Sequence, residues 1–206
     1  MKSQYTTPLV RVVDDDAAML KSWKFLIEGE GWKVKDYSSA LDFLSQDDPY
    51  AIGCLVLDVR MPNMTGIELQ KEMKARGNDL PIIFVSAHGD IDMAVQSMKD
   101  GAVDFLPKPV QSDRLLNAIE KAVEFDMKRR EEQEEIRALK AAFNHLTPRE
   151  KIIAKMIAQG SLNKQIAYEL GISDKTVQSH RGSLTKKLGA RNASNITKLL
   201  MKIKEI

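Results

Sequence analysis

Residues 52–58, Ile-Gly-Cys-Leu-Val-Leu-Asp, are an apolar run that ends on an acidic side chain. Pro81 to Val85 is a second continuous apolar run, and Ser86 follows it directly. A strand is apolar along its whole length when both of its faces are covered, as in a parallel sheet with helices on either side. The two runs therefore predict the central strands of an α/β domain.

Three more segments around these runs have the composition of strands, namely Leu9 to Val13, Trp32 to Tyr37 and Ala102 to Leu106. Trp32 to Tyr37 alternates apolar residues with lysines, which is typical of an edge strand with one partly wet face. Amphipathic segments with helical spacing lie between and after the strands. Their apolar residues are Met19, Leu20, Trp23, Leu26 and Ile27, then Ile91, Ala94, Val95 and Met98, then Leu115, Leu116, Ile119, Ala122 and Val123. The alternation predicts a (βα)5 doubly wound parallel sheet of order 2-1-3-4-5, with the functional crevice at the carboxyl ends of the strands.

Composition limits the class of protein. The chain has 206 residues, 43% hydrophobic and 29% charged, which suits one large or two small folded domains and excludes a disordered chain. Cys54 is the single cysteine, so an internal disulfide and a Cys-rich zinc site are excluded and a reducing cytoplasm is expected. No stretch approaches the roughly 20 apolar residues of a membrane span, and Met1 to Pro8 lacks the apolar core of a signal peptide. We therefore expect no membrane partner.

Charge is divided unevenly along the chain, although its net value is only +2. Residues 1–124 carry 14 Lys and Arg against 20 Asp and Glu, whereas residues 144–206 carry 12 against 4. A small basic module is typical of a protein that binds the phosphate backbone of nucleic acid, and an acidic module joined to it is not. Uneven sampling of surface charge is the alternative that charge alone leaves open.

Residues 125–143 are neutral and separate the two modules. Lys128 to Glu135 contains no apolar residue, which predicts a solvated helical linker between a domain at 1–124 and a domain at 144–206. Ile136, Leu139 and Phe143 restore helical spacing near the end of this linker. They could pack on either domain or on a second copy of the chain, and packing in a domain core is the prediction.

The basic module has a helical pattern throughout. Thr147 to Glu150 is a capping box with proline at the first helical position, so a helix should begin there. Its predicted buried residues are Ile152, Ile153, Met156 and Ile157. The other predicted helices are Asn163 to Leu170, ended by Gly171, a longer one from Ser173 or Asp174 to about Leu188, and a fourth that carries Ile196, Leu199 and Leu200. This order of a helix, a short helix, a tight turn and a longer helix predicts a helix-turn-helix domain.

The longer helix is the predicted contact surface for double-stranded DNA. Its polar and basic residues outside the apolar stripe are Lys175, Thr176, Gln178, Ser179, His180, Arg181 and Lys186. Lys and Arg attract phosphates whatever the sequence, while Gln178 could make a bidentate contact with adenine and Ser179 could contact several bases. A solvated basic helix in some other all-α domain remains the alternative.

Polar side chains follow the strands of the first module. Asp14 to Asp16 follow the first strand, Asp58 the third, Ser86 the fourth and Lys108 the fifth. Because parallel strands end at one edge of the sheet, these groups should lie close together. Carboxylates are suitable ligands for Mg²⁺, and the Lys108 ammonium could neutralise phosphoryl oxygens beside it. Glycine-rich nucleotide motifs are missing from the sequence, which argues against a bound nucleotide. The alternative is that Asp15 or Asp16 caps the next helix and Asp58 is an ordinary loop residue.

Four motifs resemble the receiver domains of two-component response regulators over residues 8 to about 124. They are Val12-Val13-Asp14-Asp15, Leu57-Asp58-Val59-Arg60-Met61-Pro62-Asn63-Met64-Thr65-Gly66, Val85-Ser86-Ala87-His88-Gly89-Asp90 and Phe105-Leu106-Pro107-Lys108-Pro109. The resemblance implies that Asp58 is the phosphoacceptor and that Lys108 holds the phosphoryl group, with a cis bond between Lys108 and Pro109. It further implies that Asp15, Asp58 and the Arg60 carbonyl ligate Mg²⁺, with Asp14 helping through water. Ser86 would then hydrogen-bond the phosphate while Phe105 rotates inward.

Residues Leu146 to Leu200 resemble the LuxR-type DNA-binding domain. The similarity is carried by Leu146-Thr147-Pro148-Arg149-Glu150, Asn163-Lys164-Gln165-Ile166-Ala167 and Thr176-Val177-Gln178-Ser179-His180-Arg181. Joined to the receiver, this domain is similar to the NarL/FixJ group of response regulators. The resemblance implies a cytoplasmic transcription factor that is phosphorylated by a sensor histidine kinase and dimerises through the fourth and fifth helices and fifth strand of its receiver. Its further partners would be promoter DNA and RNA polymerase.

Two other functions are possible for these motifs and are less consistent with the sequence. A magnesium-dependent phosphatase could use Asp58 as a covalent nucleophile, but Asp58-Val59-Arg60 lacks the second acid of the Asp-x-Asp motif of haloacid-dehalogenase hydrolases. A DNA-binding protein with a vestigial receiver is disfavoured because every expected acidic and lysine position is filled. The chain is therefore predicted to be a phosphoacceptor with slow autodephosphorylation rather than an enzyme.

Overall fold

The computed structural model describes residues 7–87 and 91–206. The last three residues of the motif Val85 to Asp90 and most of Met1 to Pro8 lie outside the described residues. The described chain divides into an N-terminal unit, which ends at Arg129, and a C-terminal unit, Arg130–Ile206. Within these limits, none of the helices combines the length and apolar character that a bilayer span requires.

The described strands of the N-terminal unit form one parallel sheet. They are β1 Leu9–Val13, β2 Lys33–Tyr37, β3 Gly53–Asp58, β4 Ile82–Ser86 and β5 Asp104–Pro107. Their order is β2-β1-β3-β4-β5, which confirms the predicted doubly wound sheet. In register, Val13 lies opposite Leu57, Asp58 opposite Val85 and Ser86 opposite Pro107. The carboxyl ends of the strands therefore meet at one edge, as the functional prediction requires.

Helices cover both faces of the sheet. They are α1 Ala17–Gly29, α2 Ala40–Gln46, α3 Gly66–Ala75, α4 Ile91–Lys99 and α5 Ser112–Asn144. Residues of α1 and α5 pack on one face, together with Cys54, and residues of α2 and α3 pack on the other. Cys54 is fully buried, and burial raises the pKa of its thiol to about 12. The prediction that Cys54 is a core residue and not a nucleophile is consistent with this environment.

The C-terminal unit is helical, with α6 Pro148–Ala158, α7 Asn163–Leu170, α8 Asp174–Leu188 and α9 Ala193–Lys202. Thr147 and Glu150 form the predicted capping box. Gly171 ends α7 with a φ of +63°, and Ser173 caps α8 through a bond from the Thr176 backbone N–H. The end of α5 contributes Ile136, Leu139 and Phe143 to the core of this unit, so core packing of that segment is correct.

Two predicted apolar faces are wrong in part. Ile152 was expected to be buried and is 45% exposed, because the face of α6 that meets α8 and α9 is centred on Ile153 and Ile157. On α4, the stripe with helical spacing faces solvent, with Ile91 78%, Val95 47% and Met98 44% exposed. A short helix buries one side, and on α4 the buried side contains Met93 and Ser97. Ser97 is fully buried, and its hydroxyl donates to the Met93 carbonyl.

The strand β1 carries a buried charge that the sequence pattern did not reveal. Arg11 is fully buried, and its Nε donates to Asp47 Oδ1 at 3.0 Å. The other guanidinium nitrogens donate to the carbonyls of Leu9, Asp48 and Ala51. The Tyr37 hydroxyl donates to the same Asp47 oxygen at 2.7 Å. Because each nitrogen has an acceptor, the ion is tolerated inside the fold.

Glu150 is the corresponding buried charge of the C-terminal unit. Its carboxylate accepts from Ser183 Oγ at 2.6 Å, from Lys187 Nζ at 2.7 Å and from the Thr147 backbone N–H at 2.8 Å. Burial alone would raise the pKa of Glu150, but the hydrogen bonds from Lys187, Ser183 and Thr147 outweigh it and lower the pKa to about 2. The ionised carboxylate thus ties the start of α6 to α8.

We expect Glu150→Gln to lower the free energy of unfolding of the C-terminal unit by about 2 kcal/mol at pH 7. A folded-state pKa of about 2 against an ordinary 4.5 means that the stabilisation is complete above pH 4.5 and is lost as the pH falls towards 2. Urea unfolding followed by circular dichroism at several pH values measures the difference between variant and unchanged protein. Glu205→Gln, which breaks the more exposed pair with Lys155, is the control and should change stability little. A difference that stays constant from pH 7 to 2 would contradict the assignment.

Candidate functional site

The predicted polar groups of the N-terminal unit lie together at the carboxyl edge of the sheet. Asp14 follows β1, Asp58 ends β3, Ser86 ends β4 and Lys108 follows β5. The Lys108 backbone N–H donates to the Ser86 carbonyl at 2.8 Å, which holds the start of the Lys108 loop against β4. The Lys108–Pro109 bond is cis, as the family resemblance implied. The sheet topology thus brings side chains from four distant parts of the sequence to one place.

Lys108 bridges the two buried carboxylates. Its Nζ lies 2.8 Å from Asp14 Oδ2 and 2.6 Å from Asp58 Oδ1. The second oxygen of Asp58 accepts from the Arg60 backbone N–H at 2.7 Å, and Asp14 Oδ1 accepts from the Asp16 N–H at 2.8 Å. Asp14 is 1% and Asp58 5% exposed, so both carboxylates are paired where they are shielded from water.

Burial and hydrogen bonding have opposite effects on the pKa values of Asp58 and Lys108. Burial raises the pKa of Asp58 above its ordinary value, and the hydrogen bond from Lys108 opposes this without cancelling it. Burial opposes the charge of Lys108 as well, yet the bonds to Asp14 and Asp58 raise its pKa. Lys108 therefore stays an ammonium ion, and the Asp58 carboxylate beside it is poorly solvated because it is buried. This arrangement favours a reaction that adds an anionic group near the ammonium.

Trp23 belongs to this site, although the sequence pattern assigned it only to the core of α1. Lys108 Nζ lies 5.2 Å from the centroid of its ring, within the range of a cation–π contact. Trp23 is 5% exposed and packs in the core beneath the sheet edge. Helical spacing predicted its burial correctly, but no local signal in the sequence indicated its contact with the ammonium.

The remaining predicted residues lie around the bridged pair. Asp15 and Arg60 are exposed, and Ser86 is buried. Phe105 is half-buried, with its ring centroid 6.1 Å from that of Phe84. Asp16 caps α1 by accepting the backbone N–H groups of Ala18 and Met19, so the helix-cap alternative holds for Asp16. Asp15 is left exposed at the rim of the site.

Gly66 packs closely against the backbone of Asp58. A Cβ atom at this position would lie 2.3 Å from the Asp58 carbonyl oxygen, and the Gly66 N–H donates to the Val59 carbonyl at 2.9 Å. Thr65 and Glu68 form a capping box that starts α3 at this point. The loop after β3 can therefore fold back against the strand end only because residue 66 has no side chain.

The donor set agrees with a hard cation in the kind of ligand it offers. Asp14 and Asp58 are close enough to share one ammonium, and Asp15 and the Arg60 carbonyl are adjacent to them in the chain. Residues 7–87 and 91–206 contain no group of three or more Asp, Glu, His or Cys side chains close enough together to bind one metal ion. In the described conformation Lys108 supplies the positive charge between the two carboxylates. Oxygen ligands of this type fit Mg²⁺, which needs few protein ligands and retains waters.

The predicted DNA-contact residues on α8 differ in exposure. Lys175, Thr176, Gln178, Ser179 and Lys186 are exposed, whereas His180 and Arg181 are half-buried. The exposed residues form one polar face opposite the buried Val177, Leu184 and Leu188. Two side chains of this face have hydrogen-bond partners at the start of the helix, since Thr176 pairs with the N-cap residue Ser173 and Gln178 pairs with Asp174. The sequence pattern indicates Asp174 only as a candidate helix cap, and no local signal predicts its hydrogen bond with Gln178.

Comparison with known proteins gives matches to both units. A family model described as response regulator receiver domain matches residues 10–120, and one described as bacterial regulatory proteins, luxR family, matches residues 144–200. Response regulator protein TmoT of Ectopseudomonas mendocina is 41% identical over 197 residues, covering 96% of this chain and 90% of TmoT. Transcriptional regulatory protein FixJ of Bradyrhizobium diazoefficiens is 38% identical over 193 residues, covering 94% of each. The solved structure of response regulator StyR has a TM-score of 0.85 and 42% identity, covering 96% of this chain and 100% of StyR.

Proposed function

Since this chain belongs to the two-component response regulators of the NarL/FixJ group, and is a phosphorylation-dependent transcription regulator, we propose that Asp58 is its phosphoacceptor. The phosphoryl group comes from a sensor histidine kinase. The single observation that supports this most is the buried Asp58 carboxylate, 2.6 Å from Lys108 Nζ and anchored by the Arg60 N–H. We assign the phosphoacceptor domain to residues 1–124, the linker to 125–143 and the DNA-binding domain to 144–206.

In the proposed step, a carboxylate oxygen of Asp58 attacks the phosphorus of a phosphohistidine on the kinase. A P–O bond forms, the P–N bond breaks, and the imidazole leaves with the electron pair and takes up a proton. Lys108 holds positive charge beside the incoming phosphoryl oxygens, and the Arg60 N–H fixes the orientation of the carboxylate. Bound Mg²⁺ supplies further charge neutralisation, and Asp15, Asp58 and the Arg60 carbonyl would hold it, with Asp14 acting through water.

Ser86 and Phe105 are the proposed switch residues. Ser86 ends β4 beside the site and would hydrogen-bond the phosphate, drawing its loop inward. Phe105 is half-buried against Phe84 and would rotate into the space that the loop leaves. Both residues lie on strands next to the α4 segment, so a change at Asp58 can reach the surface of the N-terminal unit.

That surface supports the proposal of a homodimer formed on phosphorylation. The solvent-facing stripe of Ile91, Val95 and Met98 gives the N-terminal unit an exposed apolar patch on α4, a helix that contacts β5. Exposed apolar patches of this kind mark protein contacts, and two copies can meet through the same patch by two-fold symmetry. The dimer would then present two copies of α8 to DNA, with RNA polymerase as the further partner at the promoter.

The competing phosphatase function has little support. Arg60 occupies the place where such an enzyme needs its second acid, and its side chain is exposed. The match to a receiver domain and to a luxR-family regulatory domain supports a transcription factor rather than a classical enzyme. We propose that the only hydrolysis is slow autodephosphorylation, in which water attacks phosphorus and restores the Asp58 carboxylate.

We expect treatment of the full chain with acetyl phosphate and Mg²⁺ to raise its affinity for promoter DNA by at least about tenfold, because a dimer binds two half-sites at once. Binding is measured by fluorescence anisotropy at several salt concentrations. Equal affinity of treated and untreated protein, with phosphorylation verified by mass, would refute phosphorylation-gated binding.

In the same measurement, Lys175→Ala should weaken binding to all sequences and lower the salt slope by about 1, whereas Gln178→Ala should change the base preference.

A further inference from the structure

Asp174 and Gln178 are paired at the start of α8. Gln178 Nε2 donates to Asp174 Oδ2 at 2.9 Å, across one turn of the helix. Gln178 is exposed, and its neighbours Lys175 and Ser179 are exposed beside it. The bond therefore lies on the face of α8 that carries the predicted contacts with DNA, close to the end of the helix that enters the major groove.

The bond decides which way the Gln178 amide is turned. A carboxylate only accepts hydrogen bonds, so the amide nitrogen must lie towards Asp174 and the carbonyl oxygen away from it. The opposite rotamer would place the carbonyl oxygen against the carboxylate oxygen, with no proton between them. Gln178 thus keeps one N–H and its Oε1 free, and their order along the helix is fixed.

A donor and an acceptor on one amide are the pair that adenine requires. In the major groove adenine offers N7 as an acceptor and N6–H as a donor, whereas guanine offers two acceptors. An amide held in one orientation contacts adenine without the loss of rotamer freedom that a mobile side chain undergoes on binding. Pairing with Asp174 therefore prepares Gln178 for one base.

The other oxygen of Asp174 is turned away from solvent. Asp174 Oδ1 is buried and has no hydrogen-bond partner among the described residues. Asp174 also lines an open surface groove together with Leu162, Lys164 and Arg181. Lys164 and Arg181 place positive charge around the same groove, which opposes the repulsion between the Asp174 carboxylate and DNA phosphates near the start of α8.

We propose that Asp174 is a positioning residue that sets a preference for adenine at the base read by Gln178. The proposal rests on the proposed binding of DNA by α8 and adds a residue that acts through another side chain rather than on DNA itself. The chemistry that it recognises is the N7 and N6 edge of adenine in the major groove.

The test is selection from a pool of duplexes with a randomised core, using the full chain treated with acetyl phosphate and Mg²⁺, followed by sequencing. Gln178→Ala identifies the base position that depends on Gln178. We expect Asp174→Asn to lower the adenine preference at that position by about fivefold, because asparagine can present either a donor or an acceptor. Affinity for non-specific duplex should stay equal or rise, since a negative charge is removed near the phosphates.

Two further variants separate positioning from other roles. In the Gln178→Ala background, Asp174→Asn should change base preference no further. Asp42→Asn removes an acidic residue from the first turn of α2, outside the proposed dimer surface and outside α8, and as the control for charge at a helix start it should leave the base preference unchanged. A variant Asp174→Ala, which cannot accept at all, should lose at least as much preference as Asp174→Asn.

Each other outcome has a definite meaning. Equal loss of affinity for all sequences with a lower melting temperature would make Asp174 structural and overturn the proposal. If Asp174→Asn still changes the base preference in the Gln178→Ala background, Asp174 acts on DNA directly, and the proposal that it positions Gln178 is overturned. If Gln178→Ala leaves every base preference unchanged while binding persists, the proposed base contact fails first, and if no variant or unchanged protein binds DNA, the proposed function itself fails.

Discussion

We expect Asp58→Asn to leave the chain without detectable label from a radioactive small phosphodonor and Mg²⁺, under conditions in which the unchanged protein is labelled. The amide is about the size of the carboxylate but is a far weaker nucleophile, so the loss is complete rather than partial. Asp58 is the carboxylate whose pKa burial raises and which Lys108 contacts at 2.6 Å, so its oxygen is the one beside a fixed positive charge. Incorporation of label and intact mass measure the result.

The control is Asp36→Asn, which removes the exposed carboxylate paired with Lys24 at the edge strand β2. This variant should be labelled as fully as the unchanged protein, because Asp36 lies outside the site. Labelling of Asp58→Asn at the level of the control would remove Asp58 from its role. Urea unfolding of all three proteins shows whether any loss of label comes from loss of the fold.

Gly53→Ala should lower the free energy of unfolding of the N-terminal unit by more than about 3 kcal/mol. Gly53 starts β3 with a φ of +152°, a conformation that residues with a side chain rarely adopt. A Cβ there would lie 1.8 Å from the Leu9 carbonyl oxygen, which belongs to backbone and cannot give way as a flexible side chain would. Alanine would therefore break the pairing of β1 with β3.

Tryptophan fluorescence measures this loss directly. The chain has two tryptophans, and both Trp23 and Trp32 lie in the N-terminal unit, so their emission follows the unfolding of that unit alone. Gly29→Ala is the matched control, because a Cβ at Gly29 meets nothing within 4 Å and Gly29 lies in the last turn of α1. That variant should be as stable as the unchanged protein or slightly more so. Equal stability of Gly53→Ala and Gly29→Ala would contradict the clash.

The parts of the fold that follow from periodicity could be predicted. Buried parallel strands are apolar on both faces, so β3 and β4 were recognisable from composition, and the capping box at Thr147 gave the start of α6. Once the order of strands is inferred, the convergence of Asp14, Asp58 and Lys108 follows from topology. Their distances do not, because a pattern of residue types fixes which strand ends meet but not how side chains turn.

Other features depend on contacts between distant residues. Arg11 stands within an apolar strand, and its burial depends on acceptors contributed by the segment from Asp47 to Ala51. The apolar stripe of α4 is as regular as that of α1, yet it faces solvent because Met93 and Ser97 are the side that packs. In such cases hydrophobic spacing identifies a helix face without identifying what covers it.

Cys54 offers a practical advantage for labelling the protein. It is the single cysteine, it is fully buried in β3, and burial keeps it in the unreactive protonated form at neutral pH. A maleimide fluorophore or a nitroxide spin label therefore finds no reactive native sulfur on the folded chain. One cysteine introduced at a chosen surface position would carry the probe alone, without any need to replace the native residue first.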